Sequence, residues 1–240
     1  MLFRSQHAGY YGYLITENDV GGSIWDNYYS VVMKNAQNLI QQAGNTSPYY
    51  RGAGRILLSY AMAAVTDAWG DAPYSETFRL QRDGTGALTA KFDDQQSIYA
   101  ALQLQLDSAI IDLNSTVNTI PLDFAIGGIP IDAVYGGDKK KWLRAAWTLK
   151  ARLALHTSKR VGNSALQNAL TFLQKGIQSN ADNMQFAFGN SAATPNPLFG
   201  FMRDRGDIDI GPVIATLLNT LKDPRTPALA AVDIGNVSSG

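Results

Sequence analysis

Two stretches with an apolar period of about 3.6 residues, joined by a link of a few positions, constrain this chain most. In 26–43, "DNYYSVVMKNAQNLIQQA", the residues Tyr29, Val32, Ala36, Leu39, Ile40 and Ala43 share one face. Asp26 is the expected N-cap and Gly44 the stop. In 49–68 the pattern returns through Ala53, Ile56, Leu57, Tyr60, Ala61, Ala64 and Val65. The link "GNTSP" is short, so the two helices are expected to form an antiparallel pair.

The same period recurs downstream. Asp93, with Gln96 three positions on, reads as a capping box opening a helix to Leu113 along Ile98, Leu102, Leu106, Ala109 and Ile110. The stretch 114–137 is irregular, with room for a short strand or hairpin. Asp138 caps a helix over 139–159, with Trp142, Ala145, Ala146, Leu149, Leu153 and His156 near one face. A fifth helix starts at Asn163 and runs through Leu166, Leu170, Leu173 and Ile177, pairing antiparallel with its predecessor over 164–179. Residues 180–212 read as loop, and a last short helix covers Val213 to Leu221. The predicted class is all-α, helix pairs with long loops, with 1–240 as a single domain.

Composition narrows the function. Charged residues make up 17%, against about 25% in an average protein. The 15 Asn and 13 Gln exceed the 20 acids, and Glu occurs only at Glu17 and Glu76. A neutral, amide-rich surface suits an extracytoplasmic protein that meets neutral polar ligands. Net charge is zero and the one basic run is Lys139, Lys140 and Lys141, which argues against a phosphate-neutralising nucleic-acid surface. The chain has no cysteine, which removes disulfides, thiolate catalysis and Cys-zinc sites. No apolar run approaches the ~18 residues of a membrane span. The start, "MLFRSQHAGYYGYL", lacks the apolar core of a signal peptide, so export is expected to use a sequence absent from this chain.

A search for catalytic machinery finds none. His7 and His156 sit in unrelated contexts, and His156 reads as a helix-end residue. "RGAGRI" and "DGTGAL" lack the third Gly or Lys of a nucleotide loop and read as turn or packing glycines. Asp204, Asp207 and Asp209 are close in sequence, but without the spacing and distal Glu of an EF-hand. No Gly-x-Ser-x-Gly elbow is present, and no pair among so many Asp residues stands out as a glycosidase pair. No catalytic residue and no cofactor are expected. The aromatics carry more. Tyr10, Tyr11 and Tyr13 precede "ITENDVGGSIWDNYY", where Trp25, Tyr28 and Tyr29 lie among Asn and Asp. Rings beside amides and carboxylates suit sugars, whose C–H faces stack while hydroxyls take hydrogen bonds. Any one of these rings is more often core than contact.

Three segments resemble one family. "AMAAVTDAWGDAPYSET" is similar to the small-residue helix followed by Gly-Asp-x-Pro-Tyr of the SusD/RagB family, the surface lipoproteins of Bacteroidota that partner a TonB-dependent outer-membrane transporter. "YGGDKKKWLRAAWTLKARLALHTSK" resembles its Gly-Asp, Lys-Trp and Leu-Lys-x-Arg-Leu-Ala helix, and "LKDPRTP" its Asp-Pro-Arg segment. Their order and spacing suit the SusD-like-2 branch. Family members are longer, so the chain resembles a piece lacking both ends, and its lipid anchor is inferred from the family alone. The resemblance implies a fold of tetratricopeptide-like helix pairs whose loops bind ligand. On that reading Gly70 ends a helix, Pro73 sets an extended exit, and Trp69 and Tyr74 pack the turn.

It further implies ligand capture in the segment before the first matched helix, at Trp25, Asn27 and Tyr28, and in the loop from Asn196 to Asp204. Asp19 and Tyr11 in the first region and Phe199 and Arg203 in the second are the further expected ligand contacts. The implied function is non-enzymatic: capture of an oligosaccharide at the outer surface and delivery to a SusC-like transporter. A peptide ligand, or a helical-repeat scaffold binding only protein, are the alternatives; a hydrolase is disfavoured.

Overall fold

The computed structural model describes residues 3–5, 23–78, 89–126, 128–189, 195–205, 208–210 and 212–226. The chain forms two compact units: Thr16–Ala187, and Met1–Ile15 with Phe188–Gly240.

In the larger unit a helix begins earlier than its apolar pattern suggests. It runs as α1 (Ser23–Asp26), a π-helical turn (Asn27–Met33) and α2 (Lys34–Ala43). Asp26 is therefore not an N-cap. It sits in helical conformation without a capping bond, because the helix continues through it. Gly44, at φ +51°, ends α2 as expected. Pro48 opens α3 (Pro48–Trp69), where its missing N–H costs nothing. α3 is the central helix and buries more than the expected face. Ala53, Ile56, Ala61 and Val65 are buried, but so are Leu58 and Met62, while Tyr60 is exposed. The reason lies in its two neighbours. A Cβ at Gly52 would sit 2.8 Å from Leu113 Cγ, and one at Gly54 would sit 3.0 Å from Ile40 Cγ1. The glycines of "RGAGR" let one helix approach on each side, which is why they stand two apart.

α4 (Gln95–Leu113) packs on α3 through Ile98, Leu102, Leu106, Ala109 and Leu113, all fully buried. Its cap is Asp94, whose carboxylate accepts from Ser97 N at 2.9 Å and Ser97 Oγ at 2.6 Å. The expected pair, Asp93 and Gln96, is one residue out. Asp93 is occupied elsewhere, accepting from Tyr74 N, Ser75 N and Ser75 Oγ. α5 (Lys139–His156) is capped by Asp138 as expected, and buries Trp142, Ala145, Ala146, Leu149 and Leu153. Burial of Trp142 and Leu149 stabilises by about 2–3 kcal/mol each.

After α6 (Ser158–Val161), α7 (Asn163–Leu173) returns along α5 and stops short of the expected 177–179. Ile177 N instead donates to Thr148 Oγ1 at 2.8 Å in the turn beyond. The contact face of α7 also differs. Ala165 and Ala169 are buried, whereas Leu166, Leu170 and Leu173 are exposed. The two helices meet through alanines, with Phe172 tilted against Trp147 at 5.7 Å.

Polar ties cross these contacts. Arg51 grips Asp112 with Nε (3.0 Å) and Nη2 (2.6 Å), joining α3 to α4. The almost fully buried Lys150 joins α5 to α4 through Asp107 at 2.6 Å. Such forked, charge-assisted bonds fix register more than they add net stability.

The irregular stretch does contain a hairpin, β4 (Ala125–Ile126) against β5 (Ile129–Pro130), following the two short strands described with the turn below. The smaller unit pairs β1 (Phe3–Ser5) antiparallel with β6 (Ile208–Ile210). Residues 180–212 are not all loop: a 3-10 turn covers Asn180–Asp182 and α8 covers Pro197–Arg205. Asn196 Oδ1 accepts from Leu198 N at 2.9 Å, and Pro197 holds the first helical position. α9 (Pro212–Thr220) ends before Asp223, which binds Arg225 through backbone and guanidinium; those bonds pull its carboxyl down to about 2.

Candidate functional site

The turn "WGDAPYSET" ties α3 to α4. Gly70, at φ +78°, ends α3, and Thr66 Oγ1 donates to its carbonyl at 2.7 Å. Asp71 Oδ1 accepts from Gln95 N at 2.9 Å, at the start of α4. β2 (Ala72–Pro73) pairs with β3 (Phe92–Asp93), and Tyr29 Oη donates to the Pro73 carbonyl at 2.8 Å. Burial alone would raise the Asp93 carboxyl, yet the bonds from Ser75, Tyr74 and Lys91 hold it below its ordinary value. Burial pushes the Tyr74 phenol up to about 12. This motif is scaffold.

The "YGGD" segment is scaffold too. Asp132 accepts from Val134 N, Tyr135 N, Gly137 N and, at 2.7 Å, the buried Trp142 Nε1. Gly137 takes φ +90°, and a Cβ added there would overlap Asp123 N, so no side chain fits. Tyr135 meets Trp142 edge-on at 5.2 Å.

The expected ligand residues fall into three groups. Trp25, Asn27 and Tyr28 lie on one helical run rather than a loop. The Trp25 ring is 4.8 Å from Tyr29 and meets Trp69 edge-on at 5.3 Å. It is partly buried against the core, as is Tyr28, while Asn27 is exposed. Trp69 therefore packs onto Trp25 as well as bounding the turn. Phe199 and Arg203 lie on α8, in the smaller unit. Phe199 is 61% exposed with the Arg203 guanidinium 6.0 Å from its ring centre. Arg203 pairs with Asp204 at 2.7 Å, and that bond raises the Arg203 pKa and lowers that of Asp204. Asp19 and Tyr11 lie outside the described residues, as does Asp207 of the acidic trio. Among the described residues no group of three His, Asp or Glu is placed to hold a metal.

His156 does end its helix, but it has partners. Its Nδ1 lies 3.1 Å from Tyr99 Oη and 3.3 Å from Asp67 Oδ1, and Tyr99 donates to Asp67. Burial first, then the Asp67 bond and charge, push the Tyr99 phenol far up, which keeps it a donor. The cluster joins α3, α4 and α5.

One feature escaped the periodicity. Beside Tyr29, an open recess of about 440 Å³ lies between the polar face of the first long helix and the turn ending at Phe78. Gln37, Asn38 and Gln41 line it. The amide run "NAQNLIQQ" is its one trace in the sequence.

A search of curated proteins found no significant match. Solved structures do match. A SusD/RagB family protein from Bacteroides thetaiotaomicron is 28% identical with TM-score 0.72, over 88% of this chain and 42% of that one. A SusD homolog from Bacteroides uniformis is 28% identical with TM-score 0.71, over 93% and 46%. A chitin-binding protein is 26% identical with TM-score 0.64, over 84% and 41%. The chain thus spans less than half the length of each. The SusD-like_2 family model, described as "Starch-binding associating with outer membrane", matches residues 3–240. The helix pairs, the stitched "WGDAPY" turn and these matches agree: the chain belongs to the SusD-like family.

Proposed function

We propose that this chain is the binding part of a non-catalytic surface protein that captures oligosaccharides and hands them to a SusC-like, TonB-dependent transporter in the outer membrane. One observation carries the reading: the starch-binding family model matches residues 3–240. The chitin-binding relative supports a carbohydrate ligand. Attachment to the membrane would come from a lipid anchor of the kind the family resemblance implies; among the described residues no helix is long and apolar enough to cross a membrane. The residues proposed to hold ligand are Trp25 and Tyr28 as stacking surfaces, Asn27 and Asp19 for hydroxyls, and Tyr11, Phe199 and Arg203 as further contacts.

The test is calorimetric titration with chito-oligosaccharides, malto-oligosaccharides and short peptides. A neutral oligosaccharide is expected to bind. Losing a stacking ring, as in Phe199→Ala or Trp25→Ala, should weaken it by roughly 1–3 kcal/mol, by analogy with base–aromatic stacking. Binding of peptides with no binding of either sugar series would replace the reading with the peptide alternative.

A further inference from the structure

A row of amides on a solvent-facing helix is by itself only a wetted surface. Here three features set the row apart. The first is shape. Lys34, Gln37, Asn38 and Gln41 share one helical face, and Thr77 and Phe78 stand across from them over an open recess of about 440 Å³. That volume falls within the roughly 300–1,000 Å³ of small-molecule sites. The second is backbone. Phe78 holds φ +64°, a left-handed conformation that strains a bulky residue and that Gly or Asn would adopt more easily. The wall facing it begins in the π-helical turn Asn27–Met33, a rare geometry that concentrates at functional sites. The third is free bonding capacity. The side-chain amides of Gln37, Asn38 and Gln41 make no hydrogen bond to the protein among the described residues, so their donors and acceptors meet only solvent and are open to a ligand.

The lining fixes the chemistry. Each amide both donates and accepts, which matches a hydroxyl or an acetamido group. Phe78 and Tyr29 offer ring surface for C–H faces. Among the described residues Lys34 is the one cation lining the recess, too little to hold a phosphate, and no carboxylate lines it to select a cation. We infer that this recess is a saccharide subsite, taking a neutral segment of a glycan between the Gln37–Asn38–Gln41 row and the Phe78 ring.

The inference rests on the carbohydrate reading above and adds a location to it. The test titrates the full chain and its Gln37→Ala/Asn38→Ala/Gln41→Ala variant with chitohexaose and with maltohexaose. All three changes are on the solvent face, and a thermal melt checks the fold. A loss of tenfold or more in affinity for either sugar, with the melt unchanged, supports the subsite, and the sugar affected names its source. If the parent chain binds a sugar and the variant binds it equally, the recess is not a subsite and the capture reading survives. If the parent binds neither sugar, the capture reading fails and the subsite falls with it.

Discussion

Replacing Gly52 with alanine sets two effects of opposite sign against each other. Alanine is the better helix former by about 1 kcal/mol, so in an exposed helix the change would stabilise. At Gly52 the new Cβ would lie 2.8 Å from Leu113 Cγ, 3.0 Å from the Ala109 carbonyl oxygen and 3.3 Å from Asp112 Cβ. Two of these neighbours belong to the α4 backbone or lie next to it, and Leu113 is fully buried, so it has no free volume to turn into. Relief requires α3 and α4 to separate by several tenths of an ångström. Overpacking of this kind costs about 1–3 kcal/mol, and separation also lengthens the Arg51–Asp112 fork, now 2.6 and 3.0 Å. Set against the propensity gain, the packing term leaves a net loss of up to about 2 kcal/mol. Urea denaturation followed by far-UV circular dichroism reads this as a lowered midpoint at constant slope. A midpoint raised by the substitution would mean that helix propensity dominates and that α3 and α4 are not in close contact at this position.

Leu149→Ala removes a buried side chain from the face α5 turns to the core, and should cost about 2–5 kcal/mol in the same assay; no change would put that face in solvent. Asp93→Asn should cost about 1–3 kcal/mol at neutral pH, because one amide oxygen cannot replace a carboxylate that accepts three bonds from Tyr74 and Ser75. The Asp93 pKa is depressed in the fold, so its contribution is complete above the ordinary carboxylate pKa of about 3.9 and is lost as pH falls through the lower folded value. The gap between parent and variant should therefore close on acidification; a gap that widens in acid would reverse the assigned shift.

The helix pairs were legible because periodicity and punctuation agree at Gly44, Pro48, Gly70 and Asp138. What sequence could not carry depends on contacts between distant residues. Asp93 and Asp94 are the same residue type side by side, and only the pairing of 72–73 with 92–93 decides which one is left to cap α4. The α7 face was misread because Leu is the stronger apolar signal. Close approach to α5 selects the smaller Ala165 and Ala169 instead. α8 was hidden among Pro, Phe and Gly, although Asn196 before Pro197 is a helix-start signal that could have been read. At the candidate site, the aromatics of "SIWDNYY" were visible as a cluster. The edge-on contact of Trp25 with Trp69 was not, since it depends on how α1 lies over the end of α3. The recess was hidden for the same reason: its amide wall and its Phe78 wall meet only in three dimensions.

The claim that this helix pair presents a carbohydrate-binding surface is tested most directly by two-dimensional NMR of the ¹⁵N-labelled chain during titration with chitohexaose or maltohexaose. The account predicts saturable shifts that concentrate on the backbone of 25–41 and 77–78, on the Trp25 indole and on the side-chain amides of Gln37, Asn38 and Gln41. Saturable shifts confined to other elements, or none with either sugar at millimolar concentration, would contradict it.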